Sequence, residues 1–142
     1  MGNGKVYCVK NKNSIKWYNF LRRLHREDGP AVEGSDGRKE WWLNGKRYRE
    51  DGPAVEYSNG TKEWFINGER HRLDGPAIEW SNGHKEWYLN DKRNREDGPA
   101  IEYADGTKEW WINGKQYSIE EYMELISEEN RDKILFNLDI YR

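Results

Sequence analysis

Short runs of alternating apolar and polar residues, cut by turn residues every few positions, cover most of the chain. Ala54-Val55-Glu56-Tyr57 reads as a strand, Ser58-Asn59-Gly60-Thr61 as a hairpin turn, and Lys62-Glu63-Trp64-Phe65-Ile66 as the return strand. Asn67-Gly68 is a second tight turn. At Asn59-Gly60 the residues predict a type I′ turn, because both tolerate positive φ. The whole unit recurs. Asp-Gly-Pro-Ala stands at Asp28, Asp51, Asp74 and Asp97, each 23 residues after the last, and ten of the 23 positions are identical in all four copies. The copies run 28–50, 51–73, 74–96 and 97–119. A degraded copy over 5–27 precedes them, with Val6-Tyr7-Cys8-Val9 as first strand and Lys16-Trp17-Tyr18 as second. There Trp17 sits one residue early. A terminal repeat is expected to be atypical, since it caps the stack. In Asp-Gly-Pro, the glycine is expected to permit an unusual backbone and the proline to end the ladder.

Side chains alternate across a strand. Trp41, Trp64, Trp87 and Trp110 therefore share a face with Leu43, Ile66, Leu89 and Ile112, and the hairpin register is expected to add Val32, Val55, Ile78 and Ile101. Invariant Trp with aliphatics predicts the core. The opposite face carries Trp42, Phe65, Tyr88 and Trp111 together with Glu40, Glu63, Glu86 and Glu109. The aromatic there varies from copy to copy, which predicts a looser, half-exposed platform.

The period stops near residue 119. Ser118-Ile119-Glu120-Glu121 is a capping box. Ile119, Tyr122, Met123 and Ile126 follow helical spacing. A second helix is expected from Ser127-Glu128-Glu129, with Ile134, Leu135 and Leu138 on one side. The chain thus divides into a β-repeat domain, 1–119, and a helical C-terminal cap, 120–142, which covers a sheet edge that would otherwise invite aggregation. The fold class is mainly β, an elongated twisted antiparallel sheet of stacked hairpins.

Composition sharpens this picture. Only 35% of the 142 residues are hydrophobic and 35% are charged, values that border on those of disordered chains. Eight Trp, nine Tyr and three Phe argue otherwise. Each buried aromatic removes roughly 150–250 Å² from water, so aromatics stand in for an aliphatic core. The net charge of −2 leaves no polybasic footprint for duplex DNA or an anionic membrane. Met1-Gly2-Asn3-Gly4-Lys5 lacks the apolar stretch of a signal peptide, and Val6 stands where a myristoylation signal has Ser or Thr. The lone Cys8 fits a reducing cytoplasm.

No catalytic or metal site is expected. His25 and His71 occupy one repeat position two copies apart, roughly 19 Å at about 4.8 Å per strand, too far to share a metal. Glu33 and Glu40 are expected on one face of a hairpin, but a carboxylate pair present in every copy reads as a structural ladder. Arg26, Arg49, Arg72 and Arg95 form a row, each with an Asp two residues later. That local pairing, and a step of about 10 Å, speak against base stacking and hence against nucleic acid.

The stretch of aromatic, Asn-Gly-Lys, Arg-x-Asp-Gly-Pro-Ala and Asn/Asp-Gly-Thr-Lys-Glu resembles a MORN-repeat variant over residues 28–119, and loosely over 6–27. The likeness is to the "HRxDGPA" style found in bacterial, phage and giant-virus proteins. It departs from the common repeat where Glu40, Glu63, Glu86 and Glu109 replace a glycine. The resemblance implies one hairpin per repeat and binding rather than catalysis. Inhibitor, antitoxin or phage counter-defence roles come with it, in the cytoplasm, or in the host's if phage-encoded. The expected partner is a protein, met through Trp42, Phe65, Tyr88, Trp111, Glu63 and Glu86. The alternative is a nucleotide-like small molecule in a pocket on the sheet. No cofactor or membrane contact is expected, and the oligomeric state stays open.

Overall fold

The computed structural model describes residues 5–140. The expectation that Met1-Gly2-Asn3-Gly4 carries no leader lies outside the described residues, as do the last two residues of the cap. In the degraded copy, β1 (Tyr7–Lys10) and β2 (Ser14–Tyr18) pair antiparallel. The first full copy holds β3 (Val32–Gly34), β4 (Lys39–Glu40), β5 (Trp42–Leu43) and β6 (Lys46–Arg47). The second holds β7 (Val55–Glu56), β8 (Lys62–Glu63), β9 (Phe65–Ile66) and β10 (Glu69–Arg70). The third holds β11 (Ile78–Glu79), β12 (Lys85–Glu86), β13 (Tyr88–Leu89) and β14 (Lys92–Arg93). The fourth has β15 (Ile101–Glu102), an unbroken β16 (Lys108–Ile112) and β17 (Lys115–Tyr117). Helices α1 (Ile119–Leu125) and α2 (Glu128–Ile140) follow.

Eleven strands form one sheet in the order β1-β2-β3-β4-β7-β8-β11-β12-β15-β16-β17. The remaining strands make three small hairpins, β5-β6, β9-β10 and β13-β14. Each full copy therefore carries two hairpins, where the resemblance implied one. The reason lies at the invariant Trp. Trp41 N donates to Ala54 O of the next copy, while Trp41 O accepts from Tyr48 N of its own second hairpin. One residue thus divides its two backbone groups between neighbours, and the strand turns there. The small hairpins stack in a row of their own: Arg49 N donates to Phe65 O, and Gly68 N to Arg47 O.

The turns also differ from expectation. Gly60 has φ +92 but Asn59 is not left-handed, so only one residue of the Ser-Asn-Gly-Thr turn has positive φ. This is a type I turn closed by a left-handed glycine, the three-residue hairpin alternative. The type I′ signature falls on the second turn, where Asn67 (φ 51) and Gly68 (φ 82) are both left-handed.

Register corrects the predicted faces. Val55 lies opposite Glu40 on one side and Glu63 on the other, while Glu56 lies opposite Lys39 and Lys62. Directly opposed residues share a face. The aliphatics Val32, Val55, Ile78 and Ile101 therefore join the variable aromatics and the Glu row, not the invariant Trp. Phe65 is 5% exposed and packs with Ala54, Val55 and Tyr57. Trp41, Trp64 and Trp87 are only half-buried. Glu33 opposes Lys39 and Val32 opposes Glu40, so Glu33 and Glu40 point to opposite faces and form no carboxylate pair.

An arginine covers Trp17 and each invariant Trp except Trp110. Arg26, Arg49, Arg72 and Arg95 lie 4.1, 3.8, 3.9 and 3.9 Å over the rings of Trp17, Trp41, Trp64 and Trp87. Nε of Arg72 donates to Asp74 Oδ1 at 2.9 Å, and one terminal nitrogen donates to Pro76 O at 3.1 Å and Glu79 Oε1 at 2.9 Å. Gly75 lies against the guanidinium, and a Cβ there would stand 2.9 Å from Arg72 Cζ. None of Gly29, Gly52, Gly75 and Gly98 has positive φ. Their need for glycine is lack of room under the arginine, not an unusual backbone. Trp17, early by one residue, still stacks on Arg26 and still donates to Ala31 O, so the degraded copy is a full member of the stack.

The cap forms as its signals predict. Ser118 Oγ accepts from Glu121 N, and Glu121 Oε2 accepts from Ser118 N. α1 packs on β16 and β17, and Trp110, Tyr122, Ile126 and Ile134 form its core. Leu138 packs against that core, whereas Leu135 is exposed.

Gly75→Ala is expected to cost about 1–3 kcal/mol, the range for overpacking. Most of that loss should vanish in an Arg72→Ala background, because the clash partner is gone. Denaturant melts of the four proteins in a double-mutant cycle check this; additive losses would show that the glycine is needed for another reason.

Candidate functional site

The turn at the invariant Trp places the predicted site residues on the face that also holds the aliphatic core. Trp42 lies opposite Arg47, and Tyr88 opposite Arg93, in the small hairpins. The arginines fill the gaps between successive aromatics. Arg47 lies 5.1 Å from the Trp42 ring and 5.3 Å from Phe65. Arg70 lies 5.6 Å from Phe65 and 5.7 Å from Tyr88. Arg93 lies 5.8 Å from Tyr88 and 5.1 Å from Trp111. The result is a continuous ladder of alternating ring and guanidinium. Cation–π contacts of this kind stabilise by about 0.5–1 kcal/mol at exposed sites and more when desolvated.

The Glu row sits beneath and ties each rung. Glu86 accepts from Tyr88 Oη at 2.8 Å and Arg93 Nε at 3.1 Å, and His84 Nε2 lies 3.0 Å from its other oxygen. Glu40 accepts from Trp42 Nε1 and Arg47 Nε, and Glu109 from Tyr103 Oη and Trp111 Nε1. Burial pushes the Glu86 carboxyl up, but the hydrogen bonds from His84, Tyr88 and Arg93 outweigh it and hold the group below the usual range. Burial, together with the bond to Glu86, pushes Tyr88 up to about 12.

One rung is incomplete. Phe65 has no polar tip, so Glu63 is bonded by Tyr57 Oη alone. Its Oε2 is buried without a hydrogen-bond partner, as is Arg70 Nε, 3.5 Å away.

Of the six expected contact residues, all lie on this ladder. Phe65 and Glu86 are buried, 5% and 7% exposed, and act from within. Tyr88 and Trp111 are half-buried and line an open groove of about 570 Å³ with Arg70, Lys92 and Arg93. The Arg47, Arg70 and Arg93 row was not anticipated. Its signal was an arginine in three of four copies, seven residues after the invariant Glu; only the hairpin pairing shows why it matters.

The histidines serve turns and the Glu row. His25 Nδ1 accepts from Asn44 N, and His71 Nδ1 from Asn90 N, each in the next small hairpin. Among the described residues no group of three or more His, Cys, Asp or Glu side chains is placed to hold a metal. Among the described residues no helix is long and apolar enough to cross a membrane.

Two outcomes follow for stability. Phe65→Tyr should raise it by about 1 kcal/mol, by giving Glu63 the hydroxyl that Tyr88 gives Glu86; a denaturant melt showing a loss would mean that the hydroxyl does not reach. Glu86 has a lowered folded-state pKa, so its stabilisation is complete above the unfolded value of about 4.3. It is lost as pH falls through the folded value. As pH falls below about 4.3 the wild type should therefore lose stability more steeply than Glu86→Gln, in paired melts over an acid series.

No protein-family model, curated protein or solved structure matches the chain.

Proposed function

We propose that this is a non-enzymatic repeat protein that binds another protein through the aromatic and charged ladder face. The observation that carries the reading is the arrangement of its polar side chains. Glu, Arg, Tyr and Trp are joined in hydrogen-bonded sets repeated from copy to copy. A reaction centre needs one set unlike the others, with a group free to meet substrate. A docking surface needs ordered anchors, and these are ordered before any partner arrives, which lowers the entropic cost of binding.

Tyr88 and Trp111 are the anchors, with Arg70, Lys92 and Arg93 around them. Trp, Tyr and Arg are the residue types enriched at interface hot spots. Trp42 extends the same face, while Phe65, Glu63 and Glu86 hold it up from beneath. The likeness to MORN-type repeats points the same way, towards an inhibitor- or antitoxin-like action on a target protein.

Tyr88→Ala with Trp111→Ala should abolish capture of the partner from host extract while circular dichroism stays unchanged. Full capture by the double variant would move the binding surface elsewhere. A thermal shift with ATP that the same pair removes would instead favour a nucleotide-like ligand.

A further inference from the structure

The last copy shows what the Trp side of the sheet accepts. Ser118 stands where the earlier copies have Arg26, Arg49, Arg72 and Arg95, so no arginine covers Trp110. Tyr122 of α1 packs against Trp110 from the side of the preceding Asp-Gly-Pro loop, its ring tilted by 49° with the centroids 4.9 Å apart. Its hydroxyl donates towards Arg95 O and Gly98 O, at 2.6 and 2.9 Å, and lies 3.3 Å from Gly98 N, from which it accepts. Ile126 and Ile134 close over it, and Tyr122 is fully buried.

The corresponding cleft occurs three more times, open, with an arginine over the Trp ring in each. Each lies beside an Asp-Gly-Pro loop. Trp41 with Leu43, Trp64 with Ile66, and Trp87 with Leu89 line spaces of about 660, 700 and 720 Å³. The glycines tell the filled cleft from the open ones: Gly98 is buried, whereas Gly29, Gly52 and Gly75 are half-buried. Gly98 N meets the Tyr122 hydroxyl; no hydrogen bond of the described residues uses the equivalent amides of the other three. Asn130 of α2 already lines the cleft at Trp87, so the open row is continuous with the helical interface.

Two features of the lip narrow the occupant. Leu73 is 84% exposed and lines both the Trp64 and the Trp87 clefts, at a position that is Glu27, Glu50 and Glu96 in three other copies and Ile119 in the last. An exposed leucine between two clefts is an apolar anchor. The exposed charges of the lip are acidic, Glu50, Asp51, Asp74 and Glu96; Asp51 and Asp74 are paired with the half-buried Arg49 and Arg72, which leaves the two glutamates for a basic partner.

We propose that the three clefts form a docking row for an amphipathic α-helix of a partner protein, which presents a tyrosine and an aliphatic residue one turn on and carries lysine or arginine at its edges. The pose follows that of Tyr122 in the fourth cleft, with the hydroxyl at the glycine amide and the ring beside the arginine-covered Trp. Spacing agrees: clefts two strands apart lie about 9–10 Å from one another, and seven residues of helix advance about 10.5 Å. A helix along the row meets successive clefts with every seventh residue. This goes beyond the ladder-face reading, because it concerns the opposite face and stands or falls separately from it.

The probe is a synthetic peptide of residues 118–138 of this chain with Glu120→Lys, Glu124→Lys and Glu128→Lys, titrated into the full-length protein by calorimetry. Saturable binding is expected. Tyr122→Ala in the peptide, or Leu73→Ser in the protein, should each weaken it by about tenfold or more. Leu73 is exposed, so its replacement leaves the fold intact, which circular dichroism checks. Tyr88→Ala in the protein should leave the affinity unchanged. Absence of binding, or binding indifferent to both Tyr122→Ala and Leu73→Ser, would overturn the proposal. So would self-association of the protein alone that Leu73→Ser abolishes, since the row would then belong to a second copy of this chain.

Discussion

An arginine guanidinium held between a tryptophan ring and a glycine backbone is the contact on which the repeat depends. It stacks on the ring at about 4 Å, meets an aspartate two residues on, and bonds the proline carbonyl and a glutamate beyond it. Each of these partners is a position the period keeps. The Trp needs a cation over it because its strand bends there and leaves the ring half outside. The glycine must lack a side chain because the guanidinium occupies that space. Lysine would not serve, since it offers neither a planar face to stack nor several donors in a fixed fork. So much of the motif meets in one clasp that few of its positions are free to vary.

The bend at the Trp has a second consequence. It lets a single 23-residue unit feed two rows, the long sheet and the line of small hairpins. Their meeting line is where the aliphatic strip, the Glu row and the ring–guanidinium ladder lie together. A chain with few aliphatics gains a core this way: the aromatics supply area, the guanidinium planes fill the gaps between rings, and buried carboxylates neutralise them. Buried ion pairs of this kind contribute only when their remaining donors and acceptors are met. The structure meets them at the Glu86–Arg93 pair, and leaves Glu63 Oε2 with Arg70 Nε, and Nε of Arg38 beside Glu40, unmet.

The end of the stack is closed by the helices. Where the last arginine is missing, a helical tyrosine packs at a tilt against Trp110 and bonds the neighbouring loop. The helices that bring it also pack against β17, the edge that follows, through Tyr117. At the other end β1 lies at the sheet margin with all four of its residues exposed. Among the described residues, the stack thus has one end packed by helices and one exposed edge strand.

Much of this was legible in the residues. The period, the repeat bounds, the turns, the capping box and the all-antiparallel character need only local chemistry: Asn-Gly for tight turns, Ser and Glu for a helix start, alternation for strands. Even the pairing of each Arg with the Asp two residues later is local enough to read. What alternation could not decide was which face is the core. It assumes an unbroken strand, and the strand turns at the Trp, so Val55 shares its face with Phe65 and not with Trp64. The clasp glycines misled for a related reason: glycine signals either an unusual φ or a close neighbour, and only the packed structure shows the guanidinium. The Arg47, Arg70 and Arg93 ladder and the open clefts are likewise tertiary. They arise between copies, from the register at which one hairpin row lies on the next, and sequence pattern within a copy carries no information about that register.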